Sequence, residues 1–162
     1  MYLLNTWCDD GGRIKMYISE ANVKRLTEMT KKMRLSGLEM AVCYGNQEVY
    51  LGCCLSCIET ISVLYGVFLH VNPKHSLAPD RDVFMFSKAH YVLPYIPILA
   101  EKELFERDEI FKYLDDGERI IGHPYSLDIG LEHPGGNLGM VISFVIGKYR
   151  QRKGTANNDS IC

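Results

Sequence analysis

The sequence predicts an α/β fold, helix-rich and of the parallel-sheet type, with most of its strands missing. Three observations carry that prediction. The run "VFMFS" at 83–87 is apolar and bounded by charged turn residues, the pattern of a strand buried on both faces. Around it, several segments place apolar residues at helical spacing. After the last helical run only "QRKGTANNDSIC" remains, although a buried strand needs hydrogen-bonded neighbours on both edges.

At 162 residues the chain is about one domain long, enough to bury roughly 70% of its unfolded surface. It is 47% hydrophobic and 23% charged, with a formal net charge of −2. That balance is ordinary for a globular protein and offers no basic surface for a phosphate backbone, so nucleic acid is a poor partner. The cluster Lys148, Arg150, Arg152 and Lys153 reads as the solvated, dipole-complementing end of a helix. The opening "MYLLNTWCDDGGRIKM" has neither a basic leader nor a sustained apolar stretch, and no segment is long enough to span a bilayer. A cytoplasmic protein with no membrane partner is expected.

Residues 1–17 read as an N-terminal extension, with Asp9 to Gly12 forming a turn or loose segment. Ser19 is a candidate N-cap for a helix that carries Val23, Leu26, Met29 and Met33 and ends near Ser36 and Gly37. The apolar stretch Leu38 to Tyr44 follows, broken at Gly45 and Asn46. Ile58, Ile61, Leu64, Tyr65 and Phe68 then mark a core helix. "NPKHSLAPDRD" is a loop, because prolines and polar residues interrupt any period. Beyond the strand at 83–87, Pro94 and Pro97 delay regular helix until "ILAEKELF", and "RDEIFKYLDDG" is a further helix closed by Gly117. Leu138, Val141, Ile142, Val145 and Tyr149 form one face of the last helix, with Asn137 as candidate cap. Met140, Phe144 and Ile146 fill its other sides, which predicts burial nearly all round. Residues 154–162 read as a flexible tail.

The six cysteines are Cys8, Cys43, Cys53, Cys54, Cys57 and Cys162. They lack paired zinc-ribbon spacing. Cys54 and Cys57 are formally a CxxC pair, but they head an apolar helix instead of following a strand, so small buried residues are expected in preference to redox or metal chemistry.

Three groups remain for chemistry. Lys88 and His90 in "SKAHYV" lie just past the carboxyl end of the predicted strand, where open α/β sheets build ligand crevices. His123 stands between a turn glycine and a proline in "GHP". "PGGNLG" at 134–139 precedes a helix and can present unpaired amides to an anion. Each has a bland alternative: a hydrogen-bonded loop histidine, a turn histidine, a plain helix start.

Taken in order, "LGCCLSCIETISVLYGVFLHVNPK", "PDRDVFMFSKAH", "GHP" and "GGNLG" resemble the N-terminal, diphosphate-binding section of transketolases. The likeness is greatest to the small first subunit of the split bacterial and archaeal type and covers about Ile18 to Lys153. It implies an incomplete thiamine diphosphate-binding fold over 18–153. It also implies a transferase of carbohydrate metabolism that moves a two-carbon ketol unit between sugar phosphates. By position, His90 matches the histidine that contacts the diphosphate, and His123 the histidine near the reacting carbon. Gly136 and Leu138 match backbone positions touching the aminopyrimidine and diphosphate. Such histidines suit proton transfer near neutral pH.

The departures from the family pattern are specific. Tyr50 stands where a histidine is usual, and an unperturbed phenol is a poor base at neutral pH. Ala89 replaces the glycine of Ser-Lys-Gly-His, while Gly135, Asn137, Met140 and Val141 depart from Thr-Gly-Pro/Ser-Leu-Gly-Gln-Gly. No Gly-Asp-Gly occurs, so the magnesium that bridges the diphosphate has no ligands here and no metal-binding residue is assigned. The resemblance therefore implies thiamine diphosphate with Mg²⁺, a partner subunit supplying the pyrimidine-binding domain, an oligomer, and no turnover by this chain alone. The other expectation is a catalytically inactive fragment or interaction module.

Overall fold

The computed structural model describes residues 4–8, 14–43, 51–79, 81–87, 92–104, 106–112, 127, 130–133 and 139–158. An antiparallel hairpin comes first, β1 (Leu4–Cys8) and β2 (Ile14–Ile18), with Thr6 opposite Met16. Four α-helices follow among the described residues: α1 (Glu20–Cys43), α2 (Leu51–Val63), α3 (Val92–Glu101) and α4 (Met140–Asn158).

Ser19 caps α1 as its sequence position predicts. The Asn22 N–H donates to Ser19 Oγ at 3.3 Å, satisfying one of the amides that a helix start leaves without a partner. The buried face runs through Asn22, Leu26, Thr30, Met33, Ser36, Gly37 and Met40, a stripe at helical spacing. Val23, expected on that face, is exposed. The helix also does not end at Ser36 and Gly37; it continues through the apolar stretch to Cys43. Packing explains the difference. A Cβ on Gly37 would lie 3.1 Å from Cys54 Sγ, so the glycine sets the close crossing of α1 with α2 instead of stopping the helix.

In α2, Cys54, Ile58 and Ile61 are buried, and Tyr65 continues the same face one turn on. The helix leaves through a π turn at Leu64–Phe68, where the Leu69 N–H donates to the Leu64 carbonyl at 2.8 Å. Phe68, expected in this core face, is exposed. Cys54 and Cys57 are not joined in a disulfide, and the Cys57 thiol points at the Cys54 carbonyl, 3.6 Å away. Both behave as small packing residues, as their helical context predicts.

α3 begins earlier than the prolines suggested. Pro94 falls in the first turn, where a missing N–H costs no intrahelical bond, and Pro97 is buried inside the helix. The loss at Pro97 is offset by apolar burial: Leu93, Ile96, Ile98 and Leu99 all sit in the core with Met33, Met40, Ile58 and Ile61. Glu103, at φ 58°, ends the helix, with the Leu104 N–H donating to the Leu99 carbonyl at 3.0 Å and the Glu103 N–H to Ala100 at 2.9 Å. This is the double bond pattern of a Schellman stop, with a glutamate where glycine is usual. The next predicted helix is, over its described part, a 3₁₀ turn at Arg107–Lys112 that buries Ile110 in the same core.

The parallel sheet is where sequence and structure part. Residues 83–87 belong to no strand ladder among the described residues. Their apolar character is used differently: Phe84 and Phe86 pack edge-on against each other, with centroids 4.8 Å apart, and against Tyr95. The described molecule is helix-rich, and its one described sheet is the terminal hairpin.

α4 departs furthest. It starts at Met140 and runs through Gly154 to Asn158, into the stretch read as a tail. Among its described side chains only Val141 is a buried apolar one; Ile142 and Tyr149 are each 63% exposed, and Phe144, Val145 and Ile146 are about half exposed. The basic cluster thus lies inside the helix and not at its end. No helix among the described residues is long and apolar enough to cross a membrane.

Candidate functional site

The four residues that the sequence singles out, His90, His123, Gly136 and Leu138, lie outside the described residues, as do Lys88 and Tyr50. What the structure describes is the frame on either side of them: residues 81–87, which lead to His90, and residues 130–133 and 139–158, which flank the glycine-rich stretch.

That frame is tied to the helical core through two tyrosines. Tyr65 Oη donates to Tyr95 Oη at 2.8 Å, and Tyr95 Oη lies 2.9 Å from the Gly130 carbonyl and 3.3 Å from that of Phe84. One phenol on α3 therefore positions both segments of the frame. Burial pushes both phenols well above their ordinary pKa, and the negative charge of Glu132 adds to the rise. Both stay neutral, so they act as fixed hydrogen-bonding groups and not as bases.

Beyond Gly130, Leu131 and Glu132 are buried. The Glu132 carboxylate is bound on one oxygen by Arg81 Nη2 and on the other by Lys148 Nζ. Burial of a carboxylate is unfavourable unless its charge is matched, and here two cations from distant parts of the chain match it. His133 follows, its ring edge-on to Phe144 of α4 with centroids 4.3 Å apart. These contacts hold one side of α4 and leave a cleft of about 680 Å³ between Met85, Glu132, His133, Phe144, Lys148 and Gln151. A smaller cleft of about 220 Å³ continues along Val83, Val145 and Tyr149, sharing Met85 and Lys148. Gly139 opens α4 at φ 85°, a left-handed conformation that glycine adopts without the cost other residues meet.

Arg81 and Glu132 carry no signature in the sequence. They lie 51 residues apart, and a single glutamate between Leu131 and His133 does not announce its burial. Lys148 was legible only as part of a basic cluster. Among the described residues no group of three or more His, Cys, Asp or Glu is placed to hold a metal ion.

No family model matches the chain. Individual relatives do. An apulose-4-phosphate transketolase subunit of Actinobacillus succinogenes is 28% identical over 123 residues, covering 74% of this chain and 45% of that protein. The protein of the same name from Phocaeicola vulgatus is 29% identical over 129 residues, covering 80% of this chain and 41% of that protein. Over most of its length the chain is similar to proteins named as transketolases or their subunits. Transketolase of Cereibacter sphaeroides, 26% identical over 136 residues, extends the match to 20% of a much longer protein. The chain spans less than half the length of each of these transketolases, and two of the three are named as subunits.

Proposed function

We propose that the chain is a transketolase-type N-terminal subunit or section. It would contribute one wall of a thiamine diphosphate site and act on sugar phosphates only together with a partner chain that carries the pyrimidine-binding domain. The observation that carries this reading is the match to the two apulose-4-phosphate transketolase subunits over most of the chain. The residues assigned to the site keep the roles that the resemblance gives them. His90 contacts the diphosphate, Gly136 and Leu138 approach the cofactor through their backbones, and His123 stands near the reacting carbon to hold or pass a proton.

The frame agrees with part of this. Gly139 turns the chain into α4, and the first amides of a helix favour an anion. The metal is another matter: the described residues bring no three His, Cys, Asp or Glu side chains together for Mg²⁺. Thiamine diphosphate, when bound, supplies the carbon nucleophile for ketol transfer. This chain's share is to bind, to orient and to manage one proton. Tyr95 and Tyr65, neutral and buried, keep the 81–87 and 130–133 segments in register for that task.

A second reading, an inactive interaction module, draws on the exposed apolar side chains of α4 and on Tyr50 in place of a histidine. Calorimetric titration of thiamine diphosphate with Mg²⁺ separates the two. We expect micromolar binding only when a C-terminal transketolase subunit is present. Absence of binding in that mixture rejects the enzyme reading, and micromolar binding by the chain alone rejects the need for a partner.

A further inference from the structure

Glu132 is engaged beyond what packing of a loop requires. Its side chain is 2% exposed, and each carboxylate oxygen has its own cation, Arg81 on one and Lys148 on the other. Arg81 is itself fixed, since its Nη1 donates to the Ala78 carbonyl at 3.3 Å. Lys148 reaches back 16 residues from inside α4. Between Glu132 and Lys148 lies Gly139, where α4 begins. Val141 is the only buried apolar residue among the described side chains of this helix, so apolar burial does little to hold α4, and the Glu132 ion cluster joins the His133 ring against Phe144 in doing so.

We infer that Glu132 is a positioning residue: held by Arg81 and gripping Lys148, it fixes α4 against residues 81–87 and 130–133, and so sets where the amides after Gly139 stand. That those amides face a diphosphate rests on the function proposed above; that Glu132 holds α4 does not. Loss of one partner from a buried pair leaves a charge unmatched, and the effect should fall on the helix that the pair ties to the frame.

The test uses the full chain. Glu132→Gln keeps the shape and removes the charge, Lys148→Met keeps the apolar stem, and Lys148→Arg keeps the cation. Hydrogen exchange is followed at the amides of residues 144–151 and in α1 and α2. In parallel, with a C-terminal transketolase subunit present, the amide resonances of Gly139 to Val141 are titrated with thiamine diphosphate and Mg²⁺, and separately with thiamine. Exchange in α4 should become about tenfold faster in Glu132→Gln and Lys148→Met, with α1 and α2 unchanged and with Lys148→Arg restoring protection. Affinity for thiamine diphosphate should fall relative to thiamine in the same two variants. Unchanged exchange in α4, or equal loss in every helix, overturns the positioning role. So does wild-type affinity for thiamine diphosphate in both variants. Should Glu132→Gln fail to fold, the two variants of the partly exposed Lys148 decide by the same criteria. If α4 loosens as expected while the wild-type amides ignore thiamine diphosphate, Glu132 keeps its hold on α4 and the diphosphate reading falls instead.

Discussion

α2 and α4 are both rich in apolar residues, yet one is the centre of the core and the other lies largely in the open. Cys54, Ile58, Ile61 and Tyr65 put the apolar side of α2 between α1 and α3. α4 carries apolar residues on every side and, among its described side chains, buries one of them. A hydrophobic pattern states how much cover a helix requires; it does not state which part of a protein provides it. The two helices also differ in what fixes them, a packed apolar face for α2 and a buried ion cluster for α4.

Truncation in the core and on α4 should expose the contrast most strongly. Ile58→Ala or Ile96→Ala removes a fully buried side chain from the core, with an expected loss of about 2–5 kcal/mol in denaturant unfolding. Ile142→Ala and Ile146→Ala, at exposed positions, should stay within about 0.5 kcal/mol. Equal losses in both sets would erase the distinction.

The link between the regions is the next target. Tyr95→Phe leaves the ring stacked but strips the hydroxyl from the carbonyls of Phe84 and Gly130, with an expected cost of about 1–3 kcal/mol. A neutral result would mean that the frame is not held through α3.

Replacing Ile142 and Ile146 together by serine should leave unfolding nearly unchanged while reducing self-association. Sedimentation velocity of the wild type is expected to show association through the apolar side chains of α4. A monomer at all concentrations, identical to the variant, would count against that.

The smallest effect concerns Asp82 beside the cleft. The His70 backbone amide, donating at 2.8 Å, is the main cause holding its carboxyl below the ordinary 3.8, partial burial opposes it, and the His70 ring adds to it. A depressed carboxyl pKa stabilises the fold above the unfolded value, and that stabilisation is lost as pH falls below about 3.8. Because Asp82 is well exposed, we expect only a few tenths of a kcal/mol. His70→Ala should retain most of it, since the backbone amide remains; complete loss in acid titration of the variant would shift the cause to the ring.

Local signals in the sequence were the ones that survived folding. Ser19 as a cap and Ile58, Ile61 and Tyr65 as a core face follow from neighbours within one or two turns. The errors came where a residue answers to a distant partner. Gly37 reads as a helix stop until Cys54 is brought against it, and Pro97 as a barrier until core packing offsets its missing bond. "VFMFS" reads as a strand because an apolar run does not distinguish a ladder from an aromatic cluster. The Arg81, Glu132 and Lys148 group depends on contacts across 16 and 51 residues, which no window on the sequence covers. The likeness to transketolases was legible from the order of short motifs, although their central residues, His90, His123, Gly136 and Leu138, lie outside the described structure.

The π turn after α2 has a bearing on how this chain tolerates change in length. Winding Leu64–Phe68 more loosely than an α-helix takes up extra chain before Leu69 turns extended. Arg25 donates to the Gly66 carbonyl at 2.7 Å, a lock from α1 on that loose turn. Because the wider turn fits one more residue into about one revolution, deleting one residue there would restore ordinary winding with the downstream phase nearly kept. A deletion from the regular part of α2 would instead rotate everything downstream by about 100° about the helix axis. Phase, and not composition, is what sets the direction of the chain after α2: a deletion from its regular turns that looks harmless in a hydropathy plot would aim the chain toward residues 81–87 from the wrong side of the helix.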